Sequence, residues 1–265
     1  MYSETVDHKK VYFEVKGNLQ ATKSIIFLNG LSQTTLSWGL MVPFFEKDYK
    51  VILMDFIFQG QSDTESDVRD FDTHASDVMS VLNLLGINET IIVGLSYGSI
   101  VAQHFALLYP ERLKKIILIS TFAHKTPYYE AIELSWKNAL EFGGYPLMLD
   151  VMLPYVLSEK YFENPLFPID LFKSVKKDVV DTKSLAKLMQ ATSERKDFRE
   201  ELTKITSDTL VIHGRYDSLF PVSFGEVVAE QIPRSKFLII ENAGHTLNLE
   251  GVNQVSNGII DFINS

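Results

Sequence analysis

The sequence contains no cysteine. Disulfide cross-links, thiolate nucleophiles and cysteine-ligated zinc are therefore excluded. No stretch approaches the roughly 18 uninterrupted apolar residues of a membrane span. The first residues, MYSETVDHKK, lack the basic start and apolar run of a secretory signal, so a soluble cytoplasmic protein is expected. Neither GxGxxG nor GxxxxGK followed by Ser or Thr occurs, which leaves nucleotide binding without support. No grouping of His, Asp and Glu shows metal-ligand spacing, so neither a metal nor another cofactor is expected. Positive charge is also short: 25 Lys and Arg stand against 34 Asp and Glu, a net charge of −9. Nucleic acid is not an expected partner, because phosphate neutralisation needs clustered cations. The Lys pairs at 114–115 and 176–177 adjoin apolar runs and read as solvated element ends.

What is present is a core of ordinary make-up. At 265 residues, 46% hydrophobic and 22% charged, the chain suits one structural domain near the upper size for a single core. Residues Val11, Phe13 and Val15 alternate with polar neighbours and predict a half-exposed strand in a hairpin. Short unbroken apolar runs then recur at Ile25–Leu28, Val51–Met54, Ile91–Val93, Ile116–Ile119, Leu210–Ile212 and Phe237–Ile240. Runs without alternation suit strands covered on both faces, as in a parallel sheet between helices. Helical segments separate them: one capped by Asp72 or Thr73 and stopped by Gly86, then Ile100–Leu108, Val222–Gln231 and Val252–Ile263. Strand and helix in alternation predict a doubly wound α/β sheet.

The rhythm breaks between His124 and Arg199. No buried-strand run occurs there, only helical patterns interrupted by Gly143-Gly144 and by Pro146, Pro154, Pro165 and Pro168. The stretch is rich in large apolar residues, among them Tyr128, Tyr129, Trp136, Phe142, Tyr155 and Phe172. It reads as a helical insertion, residues 124–199, between core segments 1–123 and 200–265. Most of its aromatics should pack on the sheet, and a few should line an apolar pocket over the strand ends.

Chemistry concentrates in three places. "IIVGLSYGSI" runs from a buried strand straight into a helix, with Gly94 and Gly98 flanking Ser96. A serine on such a turn is pushed into sparsely allowed backbone space, and small neighbours let the chain pass closely. The following helix aims its positive end where an oxyanion would form. A serine hydroxyl needs a base, and the base an orienting acid. "TLVIHGRYDSLFP" places Asp217 just past one late strand, and "KFLIIENAGHTLNLE" places His245 past another. The order serine, aspartate, histidine is the one found on sheets of this kind. His8, His74, His104 and His213 read as structural residues, and His124 as a residue at the start of the insertion that can approach the pocket. Glu250 is placed either to cap the last helix or to brace the histidine loop, and the cap is the preferred reading.

"GLSYGS", "YPERLKKIILIS", "LVIHGRYDSLFP" and "ENAGHTLNLE" together resemble motifs of the α/β-hydrolase superfamily, in the right order and over nearly the whole chain. The resemblance implies an α/β-hydrolase fold with a helical cap after the sixth core strand. It implies Ser96 as nucleophile, Asp217 as acid and His245 as base. It also implies an oxyanion hole built from the backbone N–H groups of Tyr97 and Leu31, the latter in "FLNGLSQTTLSW". Many relatives carry His-Gly where this chain has Asn29-Gly30; the donor is a backbone group, so Asn29 is expected to stabilise the loop. Two loops, "NGLSQTTLSW" and "DFIFQGQS", are similar to those of the rhamnolipid-pathway synthase that joins two hydroxyacyl chains.

The substrate pocket is expected to draw on Asn29, Gly30, Trp38 and Phe58 from those loops and on Tyr128, Trp136 and Tyr155 from the cap. The leading function is hydrolysis of a carboxylic ester with an apolar, medium-sized acyl or aryl group. Acyl transfer or thioester hydrolysis on acyl-carrier-protein or CoA substrates, such as 3-hydroxyacyl chains, is a second reading, and a hydrolase-like signalling receptor without turnover a third. A serine at position 96 disfavours the dehalogenase and epoxide hydrolase chemistries, which need a carboxylate there. Either a monomer or a homodimer is compatible with the sequence.

Overall fold

The computed structural model describes residues 1–170, 173 and 180–265; Phe172 and the Lys176-Lys177 pair lie outside them. Eight strands form one sheet: β1 (Tyr2–Glu4), β2 (Lys10–Gly17), β3 (Ser24–Leu28), β4 (Lys50–Met54), β5 (Thr90–Leu95), β6 (Leu113–Ile119), β7 (Asp208–Gly214) and β8 (Ser235–Ile240). Their order across the sheet is β1-β2-β4-β3-β5-β6-β7-β8. Strands β3 to β8 run parallel, while β2 pairs antiparallel with both β1 and β4. This is an α/β-hydrolase fold, with helices on both faces of a mostly parallel sheet.

The apolar runs account for the middle of the sheet. Every residue of β3 and β5 is buried, and each fully buried Ile or Leu contributes roughly 1.5–3 kcal/mol. Two cores result. Ile26, Leu28, Ile92 and Ile116 face one side with helices α1 (Phe71–Leu84) and α2 (Tyr97–Leu108). Ile25, Phe27, Val93 and Ile117 face the other, with Trp38 and the helix that closes the chain. Strand β8 differs from the expectation of two covered faces. It is only half-buried because it is the last strand of the sheet and has a neighbour on one side only.

Helix α1 starts two or three residues earlier than the Asp72 or Thr73 cap the sequence suggested. Asp70 is its N-cap, with a carboxylate oxygen accepting from the Thr73 N–H at 2.8 Å. That satisfies a first-turn amide with no partner inside the helix. Asp72 instead sits in the first turn, 2.7 Å from His104 Nδ1.

Between β6 and β7 the described residues include helices α3 (Pro127–Val156), α4 (Glu159–Glu163), α5 (Thr182–Glu194) and α6 (Arg199–Leu202) and no strand. Helix α3 is interrupted at Gly144 (φ 65°, ψ −167°), as the Gly143-Gly144 pair suggested, but continues through Pro154. Pro146 then stands at the start of the second segment, where a missing N–H removes no bond. The remaining helices are α7 (Val222–Gln231), α8 (Leu247–Glu250) and α9 (Val252–Asn264). Among the described residues, no helix is long and apolar enough to cross a membrane.

Candidate active site

Parallel strands bring their carboxyl ends to one edge of the sheet, and the residues just beyond β3, β5, β7 and β8 meet there. Ser96 follows β5 directly, with φ 51° and ψ −114°, backbone angles that cost on the order of 1–3 kcal/mol for a non-glycine residue. The strain is held in place from both sides of the residue. The Ser96 N–H donates to the Ile119 carbonyl at 2.8 Å, and the Ser96 carbonyl accepts from the N–H groups of Ser99 at 2.9 Å and Ile100 at 3.3 Å and from the Ser99 hydroxyl. Both flanking glycines are sterically required. A Cβ on Gly94 would lie 2.3 Å from the Gly98 oxygen, and one on Gly98 would lie 2.2 Å from the Leu28 oxygen.

Asp217 follows β7 in a tight turn. One carboxylate oxygen accepts from the N–H groups of Leu219 at 3.0 Å and Phe220 at 2.8 Å. The other lies 2.8 Å from His245 Nδ1. The two side chains are almost wholly buried. An imidazole held this way at Nδ1 has its Nε2 free to take a proton. The histidine backbone is fixed as well, since the Ser120 hydroxyl donates to its carbonyl at 2.8 Å.

Ser96 and His245 share the wall of a cavity of about 80 Å³, together with Gly30, Leu31 and Tyr97. Among the described residues, neither the Leu31 nor the Tyr97 N–H has an acceptor. Tyr97 opens α2, so its amide has no partner within the helix. Two free donors and the positive end of α2 thus stand beside Ser96 in a largely apolar setting, an arrangement able to stabilise an oxyanion. The Tyr97 side chain points elsewhere, packing on Phe56, Phe71 and His74. Burial holds its phenol well above the ordinary range.

The pocket residues expected from sequence separate into groups. Gly30 and Trp136 line the cavity. Tyr155 does not; its ring packs edge-on against Trp136. Tyr128 is 62% exposed, whereas its neighbour Tyr129 lines the cavity and is buried. Adjacent helical residues point about 100° apart, and the spacing Tyr129–Ile132–Trp136 marks the inward face of α3. Asn29 and Trp38 are fully buried behind the loop. The Trp38 indole N–H donates to Asn29 Oδ1 at 2.8 Å, and the Asn29 amide donates to the Met54 carbonyl at 2.9 Å and to Asp55 at 3.1 Å. Gln59 completes the brace by donating to the carbonyls of Gly30 at 2.8 Å and Leu31 at 3.0 Å. The two loops singled out in the sequence are therefore one interlocked unit. Phe58, with φ 79°, faces a second, smaller cavity across that unit.

Ile100, Phe122, Leu219 and Phe220 also line the main cavity. Sequence reasoning missed all four; the place of Leu219 and Phe220 two and three residues after Asp217 is a signal that could have found them, and the other two carry no local signal. His124 stacks on Phe224, and His104 on Phe198. His213 is fully buried and accepts from the Thr121 N–H at 3.0 Å; burial pushes its pKa down to about 4. Glu250 does not cap the last helix. The residue before α9 is Gly251, and Glu250 turns back to accept from the N–H groups of Ser158 at 3.1 Å and Gly244 at 3.2 Å.

A family model described as the alpha/beta hydrolase fold matches residues 23–142 and 183–252. The chain is similar to 3-oxoadipate enol-lactonase 2 of Acinetobacter baylyi, with 26% identity over 86% of this chain and 83% of that protein. It is similar to a 2-hydroxymuconate semialdehyde hydrolase of Pseudomonas sp., with 23% identity over 86% and 81%. Among solved structures it resembles MGS-M2, an alpha/beta hydrolase enzyme from a Medee basin deep-sea metagenome library. That match has a TM-score of 0.87 and 25% identity over 97% of this chain and 95% of that one.

Proposed function

The chain belongs to the alpha/beta hydrolase fold family, and from that premise we propose that it is a serine hydrolase of carboxylic esters with a short, uncharged acyl group. The observation that carries this reading is the shared cavity. Ser96 on its strained turn, the Asp217-held imidazole of His245 and two unpartnered N–H groups all border it. The similarity to an enol-lactonase, whose name denotes a cyclic ester substrate, points the same way.

Ser96 Oγ attacks the ester carbonyl while His245 Nε2 takes its proton. The Leu31 and Tyr97 N–H groups hold the oxygen that becomes negative. His245 then protonates the departing alcohol, leaving an acyl group on Ser96. Water, deprotonated by His245, releases the acid and restores the serine. Asp217 fixes the tautomer throughout and stabilises the imidazolium.

Cavity size narrows the substrate. About 80 Å³ is roughly half of the ~150 Å³ that holds one benzene in an engineered protein cavity. Short acyl groups fit such a space better than the medium-sized acyl or aryl groups suggested by sequence alone. A series of p-nitrophenyl esters from acetate to octanoate tests this, with kcat/KM highest for the short chains. A rate that climbs steadily to octanoate contradicts it. Adding an alcohol or a hydroxyacyl thioester to the same assay separates hydrolysis from acyl transfer, since water and alcohol compete for one acyl-enzyme. Turnover of simple esters by the purified chain argues against a receptor without activity.

A further inference from the structure

We propose that Glu250 is a positioning residue that couples the seating of the helical insertion to the placement of His245; this rests on the role of His245 as base. The residues on either side of His245 both connect to the end of α3. Thr246 donates twice to the Val156 carbonyl, from its N–H at 3.1 Å and from its hydroxyl at 2.8 Å. Gly244 connects through Glu250, one oxygen of which accepts from the Gly244 N–H at 3.2 Å, the Ser158 N–H at 3.1 Å and the Ser158 hydroxyl. Val156 and Leu157, within this same segment, form part of the cavity wall.

The junction is tight. A Cβ on Gly244 would lie 2.7 Å from the Ser158 nitrogen, so the histidine loop and the insertion touch backbone to backbone with no room for water. Charge-assisted bonds of this kind are stronger than neutral ones, and three converge on a single atom. On its core side His245 is fixed by Asp217 and Ser120. Glu250 supplies the opposing anchor, so a shift of the insertion moves Gly244, Thr246 and the imidazole between them. Displacing a reacting group by about 1 Å can cost on the order of 10²-fold in rate.

The other Glu250 oxygen is buried without a partner. One acceptor atom therefore does the whole task, and glutamine can present its carbonyl oxygen in the same place. Glu250→Gln should keep kcat within about threefold of wild type, while Glu250→Ala and Glu250→Asp, which remove or withdraw that oxygen, should lower kcat at least about tenfold with KM within about twofold. If Glu250→Ala does not fold, Glu250→Asp, which retains the charge but is one methylene too short, gives the same reading. Wild-type kcat in the alanine and aspartate variants overturns the proposal, as does an equal loss in the glutamine variant. Ester turnover that survives His245→Ala in an otherwise unchanged chain overturns instead the role of His245 from which the proposal proceeds.

Discussion

Gly98 and Leu28 approach so closely that a Cβ on the glycine would lie 2.2 Å from the Leu28 carbonyl oxygen. The first turn of α2 thus rests directly on the end of β3, which brings Ser96, just past β5, and the Leu31 loop, just past β3, to the same cavity. The glycine serves both the fold and the site.

Gly98→Ala should therefore destabilise the protein by more than about 3 kcal/mol, because backbone rather than a flexible side chain would have to move. Gly86 is the control. It has a positive φ, of 63°, which Gly98 does not, and a Cβ there meets nothing within 4 Å. Gly86→Ala should cost only about 1–2 kcal/mol, the penalty of a left-handed conformation. Denaturant unfolding of the two variants separates close approach from backbone strain.

Asp217→Asn should leave the fold intact and lower kcat by roughly 10⁴-fold. The amide oxygen would accept from Leu219 and Phe220 as the carboxylate does now. Its NH₂ would then face His245 Nδ1 and place the ring proton on Nε2, where it blocks proton transfer from Ser96. Steady-state rates beside an unchanged circular dichroism spectrum test this. A loss of ten-fold or less, by that same estimate, contradicts the tautomer argument.

Asn29→Ala removes the brace beneath the Leu31 loop. The Trp38 indole N–H loses its acceptor in a fully buried site, which costs about 1–3 kcal/mol. Displacement of Leu31 should cost about 10²-fold in kcat, the typical loss for one oxyanion donor. Both readouts should move together, in melting temperature and in rate.

Stability should fall as the pH drops from about 6.5 to 4. His213 has a pKa near 4 in the folded chain because burial disfavours the imidazolium, against about 6.5 when unfolded. Between those values the unfolded state binds one more proton, so unfolding free energy rises with pH by about 1.4 kcal/mol per unit. The neutral-form advantage is complete above about pH 6.5 and lost on descending toward 4. His74 is also buried and shifted downward, which adds to the same slope. Melting temperatures of His213→Asn across this range should show a shallower pH dependence than wild type.

Much of the fold was legible because buried parallel strands are written as unbroken apolar runs, and six of these match strands β3 to β8. Edge position is not written locally, so β8 read as covered on both faces. Helix α3 was harder, since its break at Gly144 leaves the register of its inward face to packing. The sequence pointed to Tyr128, and the helix turned Tyr129 inward. The meeting of Asp217 and His245 was inferable from their places after neighbouring strands. For Glu250 the sequence offered bracing of the histidine loop only as the alternative to a cap, and its partner Ser158, 92 residues earlier, was not legible because it depends on where the end of α3 comes to rest.

In the proposed hydrolysis Ser96 is the nucleophile. Treatment with a fluorophosphonate, which phosphonylates an activated serine, followed by peptide mass spectrometry, is the decisive measurement. One modified residue, Ser96, is expected, with labelling and ester hydrolysis both abolished in a folded Ser96→Ala variant. Labelling that persists in that variant, or hydrolysis that continues without it, rules Ser96 out as the nucleophile.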